Sequence, residues 1–226
     1  MPKRLQMKEI VIKEEVFNYD YKDFERWRGG DKEFLLRKTG YLNKGSYDGQ
    51  PSHNFSEVKY AHYLITKEGF QRENIICENY RLSFLSIRDD LQKGKNNLHT
   101  QGTNILFQTF SIEFFKEFDI LYDLNKEEIK KPRERVYVDL CAINHKEKLV
   151  KFCEMKRRDE NGKRVDDLNQ SQKFCLFFLH HTITKLCTKA FNSGIIYDVQ
   201  PSIIVLVPKN ISRRFQPEEY TLGFMV

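Results

Sequence analysis

The stretch "RVYVDLCAINHKEKLVKFCEMKRR", residues 135–158, contains two apolar runs on either side of the polar segment "NHKE". Short runs rich in β-branched and aromatic residues around a polar turn are typical of a β-hairpin. We centre the predicted loop between Lys146 and Glu147. Asp139 then lies opposite Glu154 on the neighbouring strand, with Cβ atoms roughly 4.5–5.5 Å apart. This prediction depends on the register, because a slip of one residue would turn Glu154 away from Asp139.

Alternation along the second strand places charged side chains together. Lys156 shares the face of Glu154. Val150 and Phe152 also lie on that face, whereas Met155 points to the other. Two carboxylates this close repel each other on a half-buried face, and a divalent cation supplies the compensating charge. Mg²⁺ prefers oxygen ligands and is typically held by carboxylates and substrate phosphates.

An ammonium group beside such a cation orients an attacking water or stabilises charge that develops on a phosphate. These residue types therefore match metal-assisted hydrolysis of a phosphodiester. The alternative is an ordinary surface hairpin in which Glu154 and Lys156 pair with other charges, since Glu-x-Lys arises by chance in a lysine-rich chain. Asp139 favours the site because it lies within the apolar run Val136–Leu140, where a solvated charge has no obvious role.

A helix is predicted for "NFSEVKYAHYLITKEGF", which opens at Asn54 and ends at Gly69. Glu57, Ala61 and Leu64 are spaced so that the carboxylate heads the inward stripe of this helix. Glu57 is also the third residue after Asn54, so a capping box is the alternative role for its side chain.

A longer helix is predicted for "DDLNQSQKFCLFFLHHTITKLCTKAF", closed near Gly194. Gln172 belongs to its apolar stripe, where a buried amide needs a hydrogen-bond partner. A core glutamine bonded to backbone is one role for such an amide, and contact with the candidate site is the other. The stripe comprises Leu168, Gln172, Cys175, Leu179, Ile183 and Leu186.

These residues resemble the PD-(D/E)XK nuclease superfamily, and within it domains of the archaeal Holliday-junction-resolvase and VRR-NUC types. Three blocks carry the resemblance, in the family's order. The segment "EVKYAHYLITKEGF" looks like the first helix of that group. Asp139 and Glu154-Met155-Lys156 correspond to the family's aspartate and ExK motif on adjacent strands. The segment "LNQSQKFCLFFL" is similar to the helix start that follows the ExK strand in VRR-NUC domains.

Two features depart from the family pattern. Val138 stands where the motif has proline, which many members also lack. The segment between the strand near Ile75 and the strand at Val136 is much longer than in compact resolvases. This insert leaves the choice of substrate open.

The resemblance implies a restriction-endonuclease-like α/β core, with a central mixed β-sheet flanked by helices. It implies that Asp139 and Glu154 bind Mg²⁺ or Mn²⁺ and that the carbonyl of Met155 completes the inner shell. Glu57 would bind the metal directly or through water.

The catalytic roles also follow from the resemblance. Lys156 would position the nucleophilic water, and Gln172 would align a ligand or a phosphate. The implied activity is that of a metal-dependent endodeoxyribonuclease acting on DNA. A nucleic-acid-binding module without catalysis and an RNA-directed nuclease are the alternatives.

The domain prediction treats the whole chain as one nuclease-like domain. Residues 1–50 are predicted to be an irregular N-terminal extension, and residues 85–132 an insert with a helix in its middle. The core comprises residues 54–84 and 133–210. Within the core, "NIICENYRLSFLSI" predicts a strand after the first helix, and "PSIIVLVPK" predicts a buried strand after the second.

Composition limits the remaining classes. The net charge of +6 favours an anionic partner without identifying it, with nucleic-acid binding and a solvated surface with excess lysine as the two alternatives. The basic segment "KRRDENGKR" is either a phosphate contact or a solvated loop. The 5 cysteines form no CxxC pair, so neither a zinc site nor a disulfide framework is indicated. The absence of a long apolar stretch predicts a soluble cytoplasmic protein without a membrane partner. A homodimer is plausible because cutting two strands favours two sites.

Overall fold

The computed structural model describes residues 5–39, 55–72, 75–83, 112–129, 137–165, 167–190 and 198–226. Helices α1 to α5 of this part of the chain are Tyr21–Arg28, Glu33–Thr39, Phe55–Thr66, Ile112–Ile129 and Gln170–Ala190. Strands β1 to β6 are Met7–Tyr19, Ile75–Ser83, Tyr137–Asn144, Leu149–Arg157, Asp198–Pro208 and Glu219–Met225.

The six described strands form one mixed sheet in the order β2-β3-β4-β5-β1-β6. Strands β2, β3 and β4 are antiparallel neighbours, β5 is parallel to both β4 and β1, and β6 is antiparallel to β1. Parallel neighbours need a long connection, and α5 lies in the one between β4 and β5. The prediction of an α/β chain with a mixed sheet flanked by helices is confirmed.

Helices cover both faces of the sheet. On one side, Phe118 of α4 and Phe178 of α5 pack with Phe152 of β4. The rings of Phe118 and Phe178 meet edge to face with centroids 5.0 Å apart. On the other side, Ala61 of α3 packs with Met155 of β4. We call these the α5 face and the α3 face, and the parity predicted for β4 is confirmed.

Strand β5 lies in the middle of the sheet between two parallel neighbours. Its segment Ile203–Val207 is buried on both faces. A strand of this kind has no solvated side, which explains why its sequence is continuously apolar rather than alternating. The predicted buried strand is therefore confirmed, as is the strand predicted near Ile75.

The predicted hairpin forms between β3 and β4. Its register runs from Leu140 paired with Cys153 to Asn144 paired with Leu149, which is the register predicted from the loop position. The Asn144 side chain closes the turn, since its Oδ1 accepts hydrogen bonds from the backbone N–H groups of Lys146 and Glu147 at 3.1 Å each.

The prediction that residues 1–50 are an irregular extension is wrong for the described part of that segment. Strand β1 occupies 13 of its residues and pairs with both β5 and β6. Its buried face carries Glu14 beside Ile10 and Ile12, so the apolar alternation is broken by a charge. Both of its partner strands come from the other end of the chain, and local sequence holds no trace of such pairing.

The predicted core also ends too early at residue 210. Strand β6 extends the sheet, and its Leu222 and Phe224 are buried on the α5 face. Helix α4 confirms the helix predicted within the insert, and it packs into the same core through Phe118 and Leu121. Of the insert, only 112–129 is described, so the predicted polar loop before it lies outside the described residues. None of the helices described is both long and apolar enough to cross a membrane.

Candidate active site

Four of the predicted site residues meet at one edge of the sheet. Asp139 is near the start of β3, while Glu154 and Lys156 are near the end of β4. The two strands are antiparallel, so these positions lie at the same edge. Helix α5 starts at Gln170 after β4 and brings Gln172 to that edge. In open α/β sheets, ligands commonly bind beyond the carboxyl ends of parallel strands, and the end of β4 is such a place.

Asp139 ends the regular pairing of the hairpin. The backbone register continues from the Leu140–Cys153 pair to place Asp139 opposite Glu154. The N–H of Met155 donates to Asp139 Oδ2 at 2.8 Å, so a carboxylate takes the position of a backbone acceptor. This bond fixes one oxygen of Asp139 against β4. The predicted cross-strand approach of Asp139 and Glu154 is present.

Glu154 and Lys156 form a buried ion pair. Their Oε1 and Nζ atoms are 3.1 Å apart, and the residues are 1% and 6% exposed, respectively. Burial raises the pKa of Glu154 well above its usual value, and the charge of Asp139 raises it further, against the opposing effect of Lys156. Two carboxyl groups are therefore held where both cannot easily ionise without added positive charge.

Gln172 joins this pair to the start of α5. Its Nε2 donates a hydrogen bond to Glu154 Oε1, and its Oε1 accepts from Lys156 Nζ at 3.4 Å. The same Oε1 accepts from the N–H of Asn169, while Asn169 Oδ1 accepts from the N–H of Gln172, both at 3.0 Å. This is a reciprocal capping box. The two roles considered for Gln172, contact with the site and bonding to backbone, are both present.

Asn169 is a residue that the sequence analysis did not single out, although an Asn followed by Gln at the third position is a readable helix-start signal. We expect Asn169→Ala to lower the free energy of unfolding by about 1 kcal/mol, because it removes the cap of α5. Asn169→Asp keeps the acceptor and is the matched control. Urea denaturation measures both, and equal losses in the two variants would contradict the capping role.

The raised pKa of Glu154 predicts a pH-dependent stability. The folded protein keeps the Glu154 proton to a higher pH than the unfolded chain does, so above the usual pKa of 4.5 the folded state binds more protons. Stability then falls as pH rises. Glu154→Gln cannot titrate, and we expect stability to fall less steeply in this variant than in wild type as the pH rises above 4.5.

Thermal unfolding in EDTA, followed by circular dichroism, measures this difference. Glu147→Gln is the control, because Glu147 is an exposed carboxylate in the hairpin turn and its replacement should keep the wild-type slope. A Glu154→Gln slope equal to that of wild type would show that burial does not raise this pKa.

The site provides some of the oxygen ligands that a hard cation such as Mg²⁺ requires. Asp139 and Glu154 offer two buried carboxylates in contact with each other, and Mg²⁺ is often held by two such groups plus water and phosphate. No group of three or more His, Cys, Asp and Glu side chains placed to hold a metal occurs among the described residues.

Glu57 is therefore not grouped with Asp139 and Glu154. It is buried in the first turn of α3, on the inward stripe predicted for it with Ala61 and Leu64. Asn54 lies outside the described residues, so the alternative capping box is not tested. The metal-ligand roles implied for Glu57 and for the carbonyl of Met155 stay predictions.

Two arginines of the basic segment after β4 bind carboxylates within the protein. Arg158 contacts Glu14 at 3.4 Å and Glu218 at 3.1 Å. Arg164 donates to Glu218 and to Tyr220. We call these five residues the Arg158 cluster. Arg158 is buried in this cluster and so does not belong to a solvated loop, whereas Arg164 is half-buried in a turn beside the exposed Lys163 and Val165. The cluster fixes the chain immediately beyond Lys156.

Two buried thiols lie near the site without the character of nucleophiles. Burial raises the pKa of Cys175, and the charges of Glu154 and Asp139 raise it further. Burial likewise raises the pKa of Cys153. A thiolate is the reactive form of cysteine, and it is disfavoured at both positions. The chemistry of this edge therefore rests on the carboxylates, Lys156 and Gln172.

Comparison with known proteins does not assign this chain to a family. The chain matches no family model, and neither the curated proteins nor the solved structures include one with significant similarity to it.

Proposed function

We propose that this protein is a metal-dependent nuclease that hydrolyses phosphodiester bonds in DNA. The observation that carries the proposal is the buried group of Asp139, Glu154 and Lys156, in which Glu154 contacts both a second carboxylate and the lysine. A structural ion pair needs one carboxylate for one ammonium. The second carboxylate leaves an excess of negative charge that a divalent cation balances.

The arrangement of the core supports the family resemblance and with it a restriction-endonuclease-like fold. The aspartate and the Glu-x-Lys motif lie on adjacent antiparallel strands. The helix with Gln172 follows, and it leads to a parallel strand beside β4. Helix α3 precedes this unit in the chain and covers the opposite face.

Each residue has a role in this proposal. Asp139 and Glu154 would hold the metal, which when bound supplies a water of lowered pKa and neutralises phosphate charge. Lys156 orients the attacking water and stabilises the negative charge of the transition state from its position beside Glu154. Gln172 holds the Glu154 carboxylate and Lys156 in one geometry.

The direct test uses purified protein with Mg²⁺ or Mn²⁺ and a panel of supercoiled plasmid, linear duplex, flap, four-way junction and single-stranded DNA, with single-stranded RNA in parallel. We expect cleavage of DNA that EDTA abolishes. Cleavage of RNA alone would replace DNA as the substrate. Binding without cleavage on every substrate would contradict the enzyme and support a non-catalytic module.

A homodimer belongs to the same proposal, because one site per chain would cut the two strands of a duplex through two chains. Light scattering during size-exclusion chromatography, with and without duplex DNA, measures the mass. On duplex DNA we expect the mass of the DNA plus twice the chain mass of 27.1 kDa.

A further inference from the structure

A cavity of about 150 Å³ lies on the α3 face, away from the carboxylates of the candidate active site. Three aromatic side chains and three charged ones line it, namely Phe17, Tyr60, Tyr63, Glu15, Glu68 and Lys151. A cavity of this volume accommodates a group the size of benzene, not a nucleotide. Its occupant is therefore a small ligand or one side chain.

The aromatic side of the cavity is preorganised. The rings of Tyr60 and Tyr63 stack with centroids 5.9 Å apart and an interplanar angle of 22°. Phe17 meets both, with its centroid 5.4 Å from Tyr60 and 5.0 Å from Tyr63. Each ring limits the movement of the other two. The π faces of such rings carry negative potential and attract cations.

Two carboxylates in the same cavity are held by neutral donors. The Tyr63 hydroxyl donates to Glu68 Oε1 at 2.6 Å, and the Ser202 hydroxyl donates to Glu15 Oε1. These bonds orient the carboxylates without neutralising them. Burial raises the pKa of the Tyr60 hydroxyl, and the carboxylates of Glu15 and Glu68 raise it further. The phenol therefore stays neutral beside two negative charges.

The net charge of the residues that line the cavity determines which ligand charge it favours. Glu15 and Glu68 contribute two negative charges and Lys151 one positive charge, so the lining carries a net negative charge. An anion such as a phosphate would face two carboxylates. A neutral ligand would gain no charge attraction from the lining, whereas a cation with an apolar stem gains from both the rings and the charge of the carboxylates.

From this combination we infer that the cavity binds an alkylammonium or alkylguanidinium group, either as a free amine or as a lysine or arginine side chain of a partner protein. The inference goes beyond the proposed nuclease activity and does not depend on it, because the cavity and the candidate active site occupy opposite faces of the sheet.

The test is titration calorimetry of the full chain with butylguanidinium and butylammonium, with butanol and butyrate as neutral and anionic probes of similar size. We expect about millimolar dissociation constants for the cations. The affinity of the other two probes should be at least about tenfold lower. A peptide with one arginine between alanines distinguishes the sources, since tighter binding of the peptide identifies a partner side chain and equal binding a free cation.

Variants test the sign of the charge effect. Glu68→Gln should weaken cation binding about threefold, and Lys151→Gln should strengthen it by a similar factor. Glu127→Gln is the control, because this exposed carboxylate lies on α4 at the opposite face and should leave the affinity unchanged. Absent binding, equal binding of butyrate, or weaker cation binding in Lys151→Gln would overturn the inference.

Discussion

Glu154→Gln is expected to lower metal-dependent cleavage of DNA by about 10³-fold while the protein stays folded. The substitution keeps the shape of the side chain and an acceptor for Gln172, but it removes one of the two charges available to a cation. Because burial raises the pKa of Glu154 and so disfavours its charged form, a neutral amide of the same shape should be tolerated by the fold. The loss therefore reports on chemistry and not on unfolding.

Lys156→Met separates the lysine from the metal ligands. It removes the ammonium 3.1 Å from Glu154 but leaves both carboxylates, so we expect a loss of about 10²-fold in cleavage at saturating metal. Single-turnover cleavage of plasmid at several Mn²⁺ concentrations measures both variants. Glu147→Gln is the matched control, since it removes an exposed carboxylate from the hairpin turn. Cleavage at the wild-type rate in either active-site variant would exclude these residues as the active site.

The largest loss of stability is expected for Arg158→Met. The side chains of Arg158 and Glu14 are 6% and 1% exposed, so removing the guanidinium leaves a buried carboxylate without its nearest cation. Breaking a buried pair from one side typically costs several kcal/mol, because the remaining charge stays desolvated. Tyr220 and the N–H of Glu218 still donate to Glu14, and Arg164 Nη2 lies 3.8 Å from its Oε1, so we expect a loss of about 3 kcal/mol.

Urea unfolding measures this loss, and three further variants identify its origin. Arg213→Met removes an exposed arginine and should change the free energy of unfolding by less than about 0.5 kcal/mol. Glu14→Gln is measured alone and combined with Arg158→Met, and the double variant should be more stable than Arg158→Met because it removes the buried charge that has lost its nearest cation. If the loss in the double variant equals the sum of the two single losses, the ion pair of Arg158 and Glu14 is not the origin of the stability.

Local sequence was enough for the elements whose pattern and partner lie close together. The hairpin of β3 and β4 was predicted in its correct register, because its turn, its apolar runs and its pairing all fall within residues 137–157. The helices with Glu57 and Gln172 were predicted with these residues on an inward stripe for the same reason, because helical periodicity is local, and Glu57 is buried and Gln172 half-buried. Asp139, Glu154 and Lys156 could be grouped from the hairpin register, whereas the family resemblance placed Gln172 beside them.

Contacts between distant segments could not be predicted in this way. Strand β1 pairs Glu14 with Ile203, and its register with β5 depends on two surfaces separated by most of the chain. From the sequence alone, Glu14 would be assigned to the surface. In the structure it is buried, and Arg158 and Tyr220 bind its carboxylate. The basic segment was likewise read from its charge alone, whereas its arginines bind carboxylates from both ends of the sequence.

The sequence by itself determined the hairpin, the two helices on either side of it and the approach of Asp139 to Glu154 with Lys156 on the same face, because alternation and helical period are local properties of the chain. Only the tertiary structure decided that residues 7–19 form a central strand, that Arg158 is an internal counterion, and that Phe17, Tyr60 and Glu68 line one cavity. These three features depend on which surfaces meet across the sheet. The burial and the charge environment of a residue at such a contact depend on partners that are distant in sequence.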